Sequence, residues 1–113
     1  MLIEQRVKDF LDVEFAEDQI GVYLEVPETL PASFIVFQLI ERGNENKINA
    51  VTLEFRSYAP SKYESAVLDE KVREAMDKLN ETTDITSKLG GGNDDPDMNL
   101  KRYRYRCYYN LYF

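Results

Sequence analysis

Histidine and tryptophan are missing from this sequence altogether, and cysteine occurs once, at Cys107. Without histidine the usual general base near neutral pH and the commonest metal ligand are gone. Ser-His and Cys-His nucleophilic pairs are excluded with them. A lone cysteine permits no internal disulfide, so cysteine usage gives no support to secretion and a reducing, intracellular setting is expected. Long apolar runs are absent too: stretches such as Phe34-Ile35-Val36-Phe37 fall far below the roughly 20 residues that a spanning helix needs. The opening Met1-Leu2-Ile3-Glu4-Gln5-Arg6 is charged too early for a signal peptide. A soluble protein with no membrane partner, not secreted by signal peptide, is expected.

What is present suits one domain. The 113 residues are 43% hydrophobic and 31% charged, an ordinary globular composition that argues against disorder over most of the chain. The net charge of −7 repels nucleic acids and anionic membrane surfaces at long range. Residues Leu100 to Phe113 are the local exception. They hold Lys101, Arg102, Arg104 and Arg106 and no acid, which makes this stretch +4 and the rest of the chain −11.

Hydrophobic spacing predicts the elements. Ile3, Val7, Phe10 and Leu11 recur at helical spacing, giving an amphipathic helix over residues 2–15. Val22, Leu24 and Val26 alternate with polar neighbours as a strand over 21–26, ended by Pro27 and Pro31. Phe34 to Glu41 reads as a second strand, Gly43-Asn44-Glu45-Asn46 as a turn, and Lys47 to Tyr58 as a third strand, together an antiparallel meander. Ser61-Lys62-Tyr63-Glu64 is a capping box that opens a second helix, whose stripe is Leu68, Val72, Ala75, Met76 and Leu79 and whose end falls at Asn80 to Thr83. The stretch 81–99, with Gly90-Gly91-Gly92 and an acidic run, reads as a flexible loop. A last strand puts Tyr103, Tyr105, Cys107, Tyr109, Leu111 and Phe113 on one face and Arg102, Arg104, Arg106, Tyr108 and Tyr112 on the other. The expected fold is α+β: two helices on one face of a mainly antiparallel four-stranded sheet, in the order α-β-β-β-α-β.

Few residues offer chemistry. Cys107 lies on the face assigned to the core, where a thiol is ordinarily inert packing. Asp95, Asp97 and Asn99 imitate the start of a calcium loop, but Leu100 stands where its glycine belongs and Arg106 where its glutamate belongs. The glycine run lacks the Lys-Ser/Thr of a phosphate loop, and the acidic pairs beside it sit in a segment too mobile for acid–base work. No enzymatic activity, cofactor or metal is expected. The arginine and tyrosine ladder of the last strand has the composition of a nucleic-acid surface. The acidic remainder of the chain favours cross-strand pairing with Glu25 and Glu54 instead.

A two-helix layer covers one face of such a sheet and leaves the other without a lid. Phe34, Val36 and Ile40 would lie on that second face, an apolar patch of the kind that marks an interface; folding of the 81–99 loop over it is the competing expectation. In size and element order the chain resembles the tail-terminator, or tail-completion, proteins of long-tailed bacteriophages, which also serve in tail-to-head joining. The resemblance runs through the N-terminal helix, the strand Val51-Thr52-Leu53-Glu54-Phe55-Arg56-Ser57-Tyr58-Ala59, the helix opened by Ser61 and the strand Tyr103-Arg104-Tyr105-Arg106-Cys107-Tyr108-Tyr109. It implies a homo-oligomeric ring, a hexamer, that caps the tail-tube protein, ends its polymerisation and meets the head connector or stopper protein, with DNA passing through unread. It also implies assembly in the host cytoplasm and residence at the virion neck. In that ring Phe34, Val36 and Ile40 would be buried between subunits, with Glu25 and Glu54 set against Arg102, Arg104 and Arg106. The alternative is a non-phage α+β module that binds or regulates through a small ligand or a protein partner.

Overall fold

A computed structural model describes residues 2–45, 48–94 and 102–113. Two helices, α1 (Ile3–Glu14) and α2 (Lys62–Thr82), accompany five strands: β1 (Gly21–Tyr23), β2 (Phe34–Glu45), β3 (Ile48–Ala59), β4 (Thr86–Asp94) and β5 (Tyr103–Tyr112). The sheet order is β1-β2-β3-β5-β4. The β1–β2 pair is parallel, and the β2–β3, β3–β5 and β4–β5 pairs are antiparallel. The class is therefore α+β with two helices, as the sequence implied, and the sheet is mixed with five strands rather than four.

Local chemistry explains the helices. Ser61 caps α2, accepting from the Glu64 backbone N–H at 3.1 Å, so the serine half of the capping box forms, while Glu64 accepts from the Ser61 hydroxyl at 3.1 Å in place of the Ser61 backbone N–H. The α2 stripe of Leu68, Val72, Met76 and Leu79 packs with Ile3, Val7 and Leu11 of α1 into one buried cluster. Across from them the sheet contributes Val22, Ile35, Phe37, Val51, Leu53, Phe55, Cys107, Tyr109 and Leu111. Phe37 and Phe55 stack at 5.3 Å between ring centres, and Phe55 meets Tyr109 edge-on at 6.0 Å, both favourable ring geometries. Ion pairs tie α2 to α1 (Lys78–Glu14 at 2.8 Å) and to the connection after it (Lys71–Asp18 at 3.6 Å), and α1 to the sheet (Arg42–Glu4 at 3.6 Å).

Three sequence expectations are corrected. The first strand does not join a meander. It stops at Tyr23 and runs parallel to β2, with Val22 opposite Ile35, because residues 24–33 carry the chain back across the sheet before β2 begins. The stretch 81–99 is not a loop throughout, since Thr86–Asp94 forms β4 along the β5 edge. Strand β2 extends past the expected end at Glu41 to Glu45, into the Gly43-Asn44-Glu45-Asn46 stretch expected as a turn. Asn46, Lys47, Asp95, Asp97, Asn99, Leu100 and Lys101, which carried parts of the expected turn, calcium-like run and basic stretch, lie outside the described residues.

The glycines make β4 possible. Gly91 has φ +138°, a backbone state that side chains disfavour. It sits where the β4–β5 register slips between Leu89 and Gly91, the signature of a bulge. A Cβ on Gly92 would lie 2.5 Å from the Arg106 carbonyl oxygen, so only glycine fits there without a shift.

Candidate assembly interface

The face of the sheet away from the helices is divided. Its β1–β2 half is already covered: Phe34, Val36 and Tyr58 form a second buried cluster on which Tyr23 and Leu30 pack. Phe34 stacks on Tyr58 at 4.5 Å with 9° between ring planes, and Tyr23 meets Phe34 edge-on at 6.3 Å. Phe34 is 0% and Val36 3% exposed within the single chain. These two residues, expected to be buried between subunits, are thus sealed inside one, beneath Tyr23 of β1 and Leu30 of the 24–33 connection. Ile40 stays 47% exposed, at the β-bulge where the β2–β3 register shifts between Leu39 and Glu41.

The other half, on β3, β5 and β4, has no lid among the described residues and is basic and aromatic. Arg56 lies opposite Arg106, Tyr58 opposite Arg104 and Glu54 opposite Tyr108. Arg104 reaches over the Tyr58 ring, 5.7 Å from its centre, and donates to its hydroxyl at 3.3 Å. Arg106 lies 6.0 Å from the Tyr108 ring centre and Lys88 5.9 Å from that of Tyr112, distances at which a cation is attracted to the ring face. Near one end of this face an open groove of about 460 Å³ is lined by Glu41, Thr52, Asn110 and Tyr112 among others. Its floor is fixed by a hydrogen bond from the Thr52 hydroxyl to Asn110 Oδ1 at 2.8 Å.

The expected Glu–Arg cross-strand pairs do not form as drawn. Glu54, almost wholly buried, pairs with Arg56 two residues along its own strand and accepts from Gln38 at 3.5 Å. Side chains at i and i+2 share a strand face, which is what brings Glu54 and Arg56 together. Glu25 lies exposed in the 24–33 connection, beyond the end of β1. Arg102, Arg104 and Arg106 remain half-buried on the open face, and Arg106 also donates to Asn93 Oδ1 at 3.5 Å.

The helical layer carries the opposite sign. On α2 the buried stripe contains Leu68, Val72, Ala75 and Leu79, and on the reverse side Glu70, Glu74, Asp77 and Glu81 are all exposed. Their spacing of i, i+4, i+7 and i+11 is one continuous helix face. Among the described residues none of the four side chains makes a hydrogen bond or an ion pair. The lysines of α2 turn elsewhere, Lys78 to Glu14 of α1, Lys71 to Asp18 in the connection after α1 and Lys62 to Asp94 at 3.3 Å. Sequence reading missed this acidic row, although the spacing alone would have revealed it.

On the inner side of α2 a buried carboxylate, Asp69, pairs with the half-buried Arg73 at 2.9 Å. Burial pushes the Asp69 carboxyl above its usual range, with Arg73 pulling the other way. The neighbouring Cys107 thiol is raised far above its usual value, again chiefly by burial and then by the Asp69 charge. A thiol held in its protonated form is a poor nucleophile. Among the described residues no group of three or more acidic, cysteine or histidine side chains is placed to hold a metal ion, and no helix is long and apolar enough to cross a membrane. Compared with known proteins, the sequence matches no family model and no curated protein.

Proposed function

We propose that this chain is a non-enzymatic structural subunit that works by assembling with copies of itself into a ring. Its role is that of the phage tail terminators it resembles: to cap a tail tube, end the tube's growth and join it to the head connector at the virion neck. The observation that carries this reading is the separation of charge. An arginine and tyrosine face lies on one side of the sheet, and an exposed carboxylate row lies on the far side of the helical layer. A subunit of that kind attracts its own copies through unlike faces, and opposite charges favour association and fix its register. The apolar patch inferred from the sequence no longer contributes, because Phe34 and Val36 are covered within the subunit.

Native mass spectrometry at micromolar concentration, alone and after mixing with purified tail tubes, tests this. A closed ring, or a ring that appears on the tube end, is expected. A stable monomer under both conditions overturns it. A second reading, a binding module for a small ligand or partner protein, is favoured by the polar groove at Thr52, Asn110 and Tyr112. A ligand seated there would raise the melting temperature of wild type and not of Asn110→Leu.

A further inference from the structure

We infer that the open half of the sheet docks on α2 of a second copy, with the β5 arginines of one subunit lying along the Glu70–Glu81 face of the next. The inference rests on the self-assembly reading above and specifies which surfaces meet. Two matched dimensions support it. Glu70 to Glu81 covers eleven helical steps, about 16 Å at 1.5 Å per residue. Arg102 to Arg106 covers four strand steps, about 14 Å at 3.4 Å per residue. Successive charges stand about 5–6 Å apart on the helix and about 7 Å apart on one strand face, so an extended arginine row can meet a carboxylate row nearly one for one.

The helix surface is also poorly served by its own chain. Four like charges along one helix face oppose helix formation, and α2 keeps all four exposed while its lysines pair with Glu14, Asp18 and Asp94. On the sheet, Arg56 and Arg106 stand directly opposite one another, with Arg56 already paired to Glu54 on its own strand. An arginine row brought against the carboxylates of α2 relieves their mutual repulsion. The surfaces lie on opposite sides of the subunit, because the helices pack on one face of the sheet and the arginines stand on the other. The contact is therefore head-to-tail, with two unlike surfaces per copy. Such a contact closes as a ring when the rotation between copies divides a full turn, and otherwise grows as a filament. A nucleic acid is the other polyanion that an arginine and tyrosine face accepts, but the chain's net −7 opposes it, whereas a second copy brings its own acid already spaced.

Charge reversal tests the pairing. One variant carries Arg104→Glu with Arg106→Glu, a second carries Glu74→Lys with Asp77→Lys, and a third combines all four. Sedimentation velocity gives the association constants, and circular dichroism checks folding. Each reversed face alone is expected to weaken self-association by about 100-fold. The combined variant, and an equimolar mixture of the first two, should recover to within about tenfold of wild type, since reversed rows are complementary again. Should the sheet variant fail to fold, Glu70→Gln with Glu74→Gln, both on the exposed helix face, is the substitute, and it must still weaken association about tenfold. Association that survives the helix variants overturns the docking while leaving assembly intact. So does loss without recovery in a folded combined variant. Wild type that remains monomeric overturns the assembly reading itself, and open filaments uphold the docking but end the case for a ring. Tight binding of single-stranded DNA, abolished only by the arginine changes, would assign the face to nucleic acid instead.

Discussion

Replacing Phe34 by alanine separates a covered cluster from an interface. Phe34 is fully buried, stacked on Tyr58 at 4.5 Å and met edge-on by Tyr23 at 6.3 Å. Removing a buried phenylalanine costs about 3–5 kcal/mol in core sites, less where the surroundings can collapse. Here two neighbours, Tyr23 and Leu30, are only partly buried and can settle inwards, so Phe34→Ala should cost about 3 kcal/mol. With a urea slope of about 1.5 kcal/mol/M for a domain of this size, the unfolding midpoint drops by about 2 M. Urea titrations followed by circular dichroism, at two protein concentrations tenfold apart, measure it. The same loss is expected at both concentrations, because the contacts lie within one chain. Ile40→Ser, at the exposed bulge, should move stability by no more than about 0.5 kcal/mol. An unchanged midpoint for Phe34→Ala together with weakened self-association would refute the reasoning and return Phe34 to the surface between subunits.

Gly92→Ala should destabilise by about 1–3 kcal/mol, since its Cβ would press on the Arg106 carbonyl and the Arg73 guanidinium. Gly43→Ala, with open space around it, should be within about 0.5 kcal/mol of wild type; equal melting temperatures for the two would contradict the β4 packing. The Cys107 thiol, fully buried and held protonated, should react with a thiol reagent only once urea unfolds the chain, and rapid labelling in native buffer would rule this out. A carboxyl whose pKa is raised by folding lends stability that is complete below its unfolded value and is lost as pH rises through the folded one. Relative to Asp69→Asn, wild type should therefore lose stability as pH climbs above the ordinary 3.8 of Asp69, and a difference in urea midpoints that stays flat with pH would refute it.

Much of the architecture was legible in side-chain period. The stripe Ile3, Val7 and Leu11, the alternation Val51, Leu53 and Phe55, and the helix cap at Ser61 all landed where spacing put them. Period says which face is dry but not what dries it. Apolar residues on both sides of β2 signalled burial on both sides, and that held at Phe34 and Val36; the cover came from Leu30, in a segment whose prolines read only as a strand end. Direction was equally hidden, because β1 shows the same alternation whether it runs parallel or antiparallel to β2. Strand β4 escaped notice because glycine carries no side-chain pattern. Its place is held by backbone bonds to β5 and by a close approach at Gly92 that excludes any Cβ. The candidate interface was half visible: the arginine row was plain in the composition of residues 100–113, whereas its carboxylate counterpart was hidden among the other acids of α2.

The order in which the strands sit has a consequence for a chain still being translated. Of the five strands, β5 is made last, yet it lies between β3 and β4 and gives each of them a hydrogen-bonding neighbour. Until it emerges, β3 has one bare edge beside Val51, Leu53 and Phe55, and β4 has nothing to pair with. A nascent chain halted before Tyr103 would therefore present the kind of open edge that recruits other chains. Productive maturation of each copy then hinges on β5 arriving before a stranger does.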